Sequence, residues 1–345
     1  MFKIRVVTIL LLMFFNIFCE ATASLSESEE NKLDHEDPQS NFFLWQDDNG
    51  NIREENLTKK PESFTAQTSD VNLYFYSKSN PNEPVVLNVL DVNKVIKTKF
   101  NSSKECLFIV HGWLNNYSSP VNVMIKGAVL EKYDVNVFVV DWSAISKNGY
   151  IECVANIERI GKFIGHFINN LSKKYNYPLS KIKMVGHSLG AHIAGVAGKT
   201  TNGQLKYIIG LDPAGPLFTI VITKNRLNKG DARYVEVIHT TASLSFHSPI
   251  GNGDYYPNGG VLQPGCVLSH DRSLSCSHSR AYELYAESVS VGSFVSTRCG
   301  LDATYELGLC ANNDKSQMGG FVFADKPDGK FYLKTSGTPP FALGN

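Results

Sequence analysis

Beyond its first 23 residues the chain has no apolar run long enough to cross a bilayer, no internal repeat and no low-complexity tract. These absences set aside a polytopic membrane protein, a solenoid and a largely unstructured chain. Neither sign of charge is in excess, with 33 Lys and Arg against 33 Asp and Glu, and nothing points to a nucleic-acid partner. The seven cysteines show no zinc-type spacing, so no metal and no cofactor is implied.

The N-terminus carries Lys3 and Arg5, an apolar stretch from Val6 to Phe18, and small residues at Ala21 and Ala23. Such an arrangement predicts a secretory signal peptide over 1–23 and an extracellular protein. Residues 24–60 form an acidic arm or propeptide, which is expected to be poorly ordered because so polar a stretch buries too little surface to offset chain entropy. Residues 24–56 hold eight more acidic than basic groups and the signal peptide one net positive charge, leaving 57–345 at plus seven. A basic core suits an anionic interface. Residues 61–345 are enough for a single large domain.

With Cys19 lost in the signal peptide, Cys106, Cys153, Cys266, Cys276, Cys299 and Cys310 remain, an even number for an exported chain. Close spacing favours Cys266 with Cys276 and Cys299 with Cys310, leaving Cys106 with Cys153 by elimination. Glycosylation sequons stand at Asn56, Asn101, Asn116 and Asn170.

From Cys106 onward, short apolar runs at 107–110, 135–140, 182–185 and 207–211 alternate with helical spacing at 121–132 and 154–173. That pattern predicts an α/β fold with a mostly parallel central sheet and helices on both faces. Segments 71–76 and 84–89 add antiparallel edge strands, and 234–239 a further core strand.

Gly186-His187-Ser188-Leu189-Gly190 follows the run at 182–185 and opens a helical segment. This is the form of a nucleophile elbow, in which flanking glycines permit a sharp turn that lifts a serine hydroxyl to a helix N-terminus. In the α/β-hydrolase order the acid follows the serine and the histidine comes last. Asp212 closes the run at 207–211 and precedes Pro213. Of His239, His247, His270 and His278, the last is the expected base, because it follows Cys276 and begins an amphipathic helix. His239 is read as a core residue, and His187 and His192 as packing around the elbow. The main-chain N–H groups of Leu189 and of Trp113, which ends the run Cys106 to Trp113, are the expected oxyanion donors.

Assembled, these residues make the chain resemble the pancreatic lipase family of animals over about residues 70–345. The likeness is carried by Val110-His111-Gly112-Trp113, Asp141-Trp142, Gly186 to His192, Gly210 to Pro216, Val237-Ile238-His239-Thr240, Tyr256 to Gly260 and Cys276 to Ala281. It implies an α/β-hydrolase fold, with Ser188, Asp212 and His278 as the catalytic triad. Three departures narrow it. The C-terminal β-sandwich of the larger members is missing, so no colipase is expected. The lid between Cys266 and Cys276, containing His270, Asp271 and Arg272, is short, as is the loop at 241–254; this combination resembles secreted insect phospholipases A1. Where some members hold calcium, Thr223, Arg226, Asn228 and Asp231 offer one carboxylate, so no calcium site is expected. The implied activity is phospholipase A1, acting on a phospholipid or other lipid ester at a membrane or micelle interface. A triacylglycerol or galactolipid lipase and an inert lipid-binding or yolk-type protein are the alternatives, and the oligomeric state is left open.

Overall fold

The computed structural model describes residues 41–46, 52–60, 64–266, 273–322 and 327–344. The expected signal peptide lies outside them. The described strands are β1 (Phe42–Gln46), β2 (Ile52–Asn56), β3 (Asn72–Tyr76), β4 (Val85–Asn88), β5 (Cys106–Val110), β6 (Asn136–Asp141), β7 (Ile182–His187), β8 (Tyr207–Leu211), β9 (Val235–Ile238), β10 (Gly253–Pro257), β11 (Val295–Arg298), β12 (Lys315–Gln317) and β13 (Gly329–Leu333). The long helices are α1 (Pro120–Lys132), α2 (Tyr150–Tyr175), α3 (Leu189–Thr200) and α4 (Ser273–Ser290).

Strands β3 to β13 form one sheet in the order β12-β11-β13-β10-β9-β8-β7-β5-β6-β3-β4. Neighbours from β13 to β6 are parallel, while β3 and β4 close one edge and β11 and β12 the other with antiparallel pairing. Alternate residues of the central strands feed two cores. Phe108, Val110, Phe138 and Val140 pack with Ile157, Ile164 and Ile193 from α2 and α3, whereas Leu107, Ile109, Val137 and Val139 pack with Ile125, Leu284 and Tyr285 from α1 and α4. Helices therefore cover both faces, as a sheet apolar on both sides requires. The α/β reading of the sequence corresponds to this architecture.

Two expectations need correction. The acidic arm is not uniformly unstructured: β1 and β2 pair as an antiparallel hairpin, from Phe42 opposite Asn56 to Gln46 opposite Ile52. Phe43 packs edge-on against Tyr150 at 4.9 Å, and Trp45 against Trp113 at 4.8 Å. Average composition hid the aromatic and aliphatic residues of Phe42-Phe43-Leu44-Trp45 among carboxylates. Cys106 and Cys153 are not bridged; both are free and buried. Cys106 is the first residue of β5, whereas α2 begins only after the parallel neighbour β6 has run to its far end. A strand length of roughly 15 Å lies between those levels, against a limit of about 7 Å between bridged Cα atoms. Elimination assumed that every cysteine pairs, but a buried thiol is also a serviceable small apolar side chain. Cys266–Cys276 and Cys299–Cys310 are formed.

Candidate active site

β7 ends at His187 and α3 begins at Leu189, so Ser188 stands alone on the turn, with φ 56 and ψ −127. A serine held there carries backbone strain of about 1–3 kcal/mol, tolerated only where the surroundings over-determine it. A Cβ at Gly186 would lie 2.2 Å from the carbonyl oxygen of Gly190, and one at Gly190 would lie 2.3 Å from that of Val110. The turn and the end of β5 thus touch backbone to backbone. The Ser188 N–H donates to the Leu211 carbonyl at 3.0 Å, tying the elbow to β8. Leu189 is the first residue of α3, and its N–H has no acceptor within the helix.

Asp212 follows β8 directly, with φ 45 and no exposed surface. Its Oδ1 accepts from the N–H groups of Thr240 (2.6 Å) and Thr241 (3.0 Å). Its Oδ2 accepts from the Thr241 hydroxyl (2.8 Å) and from Nδ1 of His278 (2.5 Å). Burial alone would push the carboxyl up, but the bond to His278 and the two threonine amides outweigh it and hold the group below the usual carboxylate value.

His278 lies in the second turn of α4 rather than at its start. The Cys266–Cys276 bridge, with Cα atoms 5.6 Å apart, ties the preceding turn down. His187 Nε2 donates to the His278 carbonyl at 3.1 Å, its ring 4.4 Å from the His278 ring and 5.2 Å from that of Tyr282. Burial, reinforced by His278 nearby, lowers the His187 pKa to about 3, so this supporting ring is neutral. Asp212 is fully buried, whereas the His278 side chain is 16% exposed and Ser188 is half-buried. With Nδ1 engaged by the carboxylate, Nε2 of His278 is the nitrogen left for chemistry.

Ser188 and His278 line one cavity of about 310 Å³, together with Gly112, Trp113, Tyr150 and Pro216. A Cβ at Gly112 would come within 2.9 Å of Ser188 Cβ and 3.4 Å of its Oγ, so the loop after β5 runs directly against the serine. Its position is fixed from behind. The buried His111 ring stacks on Trp142 at 8° and donates from Nδ1 to the Gly112 carbonyl at 2.9 Å. The Trp142 indole N–H donates to the His111 carbonyl at 2.8 Å.

The other histidines fall elsewhere. His239, just past β9, is fully buried between Asp254 (2.9 Å) and the Phe246 carbonyl (2.9 Å). His192 bridges the Ala214 carbonyl (2.8 Å) and the Leu227 N–H (3.1 Å). His247 packs against His239 and Tyr256. His270, Asp271 and Arg272 of the expected lid lie outside the described residues.

In the region compared with calcium sites, Asp231 pairs with Lys199 at 2.5 Å, and the buried Arg226 donates to the carbonyls of Thr219, Ile220 and Leu227. Among the described residues no cluster of three or more His, Cys, Asp or Glu is arranged to hold a metal ion. The sequons Asn101, Asn116 and Asn170 are exposed and Asn56 partly so. Thr240, Thr241 and the pair Phe43 and Trp45 are site residues that sequence reasoning did not assign, while His187, read as elbow packing, also supports His278. The two threonines stand 28 and 29 positions from the carboxylate they hold, and only the short apolar run at 42–45 could have signalled the aromatic pair.

A family model described as Lipase matches residues 31–341. Lipoprotein lipase of Homo sapiens is 33% identical over 272 residues, covering 71% of this chain and 57% of that protein. Lipoprotein lipase of Gallus gallus is 32% identical over 280 residues, covering 73% and 57%. The chain thus spans little more than half the length of these relatives. Among solved structures, ferulic acid-bound Est1E from Butyrivibrio proteoclasticus overlaps 51% of this chain and 78% of its own at 14% identity, with a TM-score of 0.32. With the family model matched over nearly the whole length, and an elbow serine, a buried aspartate and a histidine gathered at one sheet edge, the chain belongs to the lipase family.

Proposed function

We propose that the chain is a secreted lipid carboxylester hydrolase that works through Ser188, His278 and Asp212. Nε2 of His278 takes the hydroxyl proton as Ser188 Oγ bonds to the ester carbonyl carbon, and the oxygen gains negative charge. The N–H groups of Leu189 and Trp113 stabilise that charge, which develops only in the transition state. His278 then gives the proton to the departing alcohol, leaving an acyl-serine. Water repeats the sequence, returning the proton to Ser188 and releasing the fatty acid. Asp212 keeps His278 in the Nδ1–H tautomer throughout. The observation that carries this reading is the 2.5 Å contact between Asp212 and His278 beside the cavity wall that contains Ser188.

Within that class, the reading is a phospholipase A1 that releases the sn-1 fatty acid. Its support is the short segment of nine residues between Cys266 and Cys276, which leaves little apolar lid to spread over a neutral-lipid surface. A triacylglycerol lipase is the second reading, favoured by the lipoprotein lipases among the relatives. Secretion is supported by the N-terminal apolar stretch, and no described helix is long and apolar enough to cross a membrane. The test offers purified protein phosphatidylcholine and triolein side by side, with positional analysis of the fatty acid released. Phospholipase A1 activity predicts sn-1 release from phosphatidylcholine at a rate well above that from triolein; the reverse preference would establish the second reading.

A further inference from the structure

The hairpin β1–β2 belongs to the segment expected to be a solvated arm, yet Phe43 and Trp45 line the same cavity as Ser188 and His278. Strand alternation turns these two residues inward, while their neighbours Phe42 and Leu44 are each 45% exposed. The inward pair is braced. Phe43 lies edge-on to Tyr150 at 4.9 Å and to Trp113 at 6.1 Å, and Trp45 edge-on to Trp113 at 4.8 Å. On the paired strand, directly opposite Phe43, Glu55 Oε1 accepts the Tyr150 N–H at 3.1 Å, where the 26-residue helix α2 begins. The Tyr150 hydroxyl reaches on to the carbonyl of Pro216, another residue of the cavity wall, at 3.0 Å. The hairpin is therefore built, through three aromatic contacts and a polar tie, into the wall of the cavity that Ser188 and His278 line.

We infer that Phe43 and Trp45 form an acyl-chain subsite, so that an N-terminal hairpin sets the preference of the enzyme for long fatty acyl esters. This rests on the ester-hydrolase reading above and adds to it the residues that select the acyl group. It also divides the acidic arm: a cut before residue 42 leaves the subsite whole, and a cut after residue 56 removes it.

The test measures kcat/KM for p-nitrophenyl butyrate and decanoate, both below their aggregation limits, and takes the decanoate-to-butyrate ratio. Because the amount of active protein cancels in that ratio, a variant that folds in lower yield still reports. Each methylene moved from water into an apolar wall is worth about fourfold, and exposing two or more of them lowers the ratio roughly tenfold or more. That is the result expected for Phe43→Ala with Trp45→Ala, and Trp45→Phe in an otherwise intact chain should recover most of the loss. A ratio within twofold of wild type in the double variant would overturn the subsite. If wild type hydrolyses neither ester while Ser188 stays unreactive to phosphonates, the hydrolase reading itself fails, which is a different outcome from an unchanged ratio.

Discussion

At the scale of single residues, the site is a set of close backbone approaches around three side chains. Gly112 shows how tight they are, since a methyl group there would sit 2.9 Å from Ser188 Cβ. Gly112→Ala should lower kcat at least tenfold with a smaller change in melting temperature, as steady-state kinetics and thermal unfolding would show; equal losses in both would place the defect in folding. In the proposed mechanism, Asp212→Asn removes the charge that stabilises the imidazolium and favours the wrong tautomer. It should cost roughly 10³- to 10⁴-fold in kcat, and a loss below tenfold would remove Asp212 from the mechanism. The positions of Ser188 and Asp212 were legible because each ends an apolar run, and His278 because a cysteine anchors its neighbourhood. Thr240 and Thr241 were not, because what makes them donors to Asp212 is the approach of the loop after β9, which no local pattern encodes.

At the scale of elements, the parallel strands and their crossover helices were readable from apolar runs alternating with helical spacing. The hairpin was not, because its five-residue strands sit in an acidic stretch whose net charge argued for solvation. Their docking instead follows from two aromatic side chains on one face, a signal confined to residues 42–45 within a long polar background. The Cys106–Cys153 pairing failed for a topological reason, since counting cysteines says nothing of which end of a sheet each occupies. The Cys266–Cys276 bridge, by contrast, ties α4 to the preceding loop just ahead of His278. Replacing both cysteines with serine should cost about 2–3 kcal/mol, as closure of so short a loop implies, and should lower kcat more than it raises KM. Denaturant unfolding and steady-state kinetics would show both, and unchanged kinetics would mean that the remaining contacts hold His278 unaided.

At the scale of the whole molecule, buried histidines add to the acid sensitivity of the fold. His187 and His192 are both lowered to about 3, chiefly by burial. Each takes up a proton near its ordinary value when unfolded but resists doing so when folded. The contribution of these rings to stability is therefore fully present above about pH 6.5 and is lost as pH falls toward 3, by up to about 1.4 kcal/mol per pH unit for each ring. His192, fixed between the Ala214 carbonyl and the Leu227 N–H, is the cleaner probe. Melting temperatures of wild type and His192→Gln should converge as pH falls from 7 to 4, whereas a constant gap would show that this ring does not contribute to acid sensitivity.

The proposed chemistry depends at every scale on Ser188 being the nucleophile, made reactive by His278 and Asp212. Labelling of the intact protein with a serine-directed alkyl phosphonate, followed by peptide mass mapping, reads that dependence without an intermediary. The expected result is a single adduct on the peptide containing Ser188, absent in Ser188→Ala and slowed by orders of magnitude in His278→Ala. An adduct on another residue, or ester hydrolysis that persists undiminished in Ser188→Ala, would contradict it.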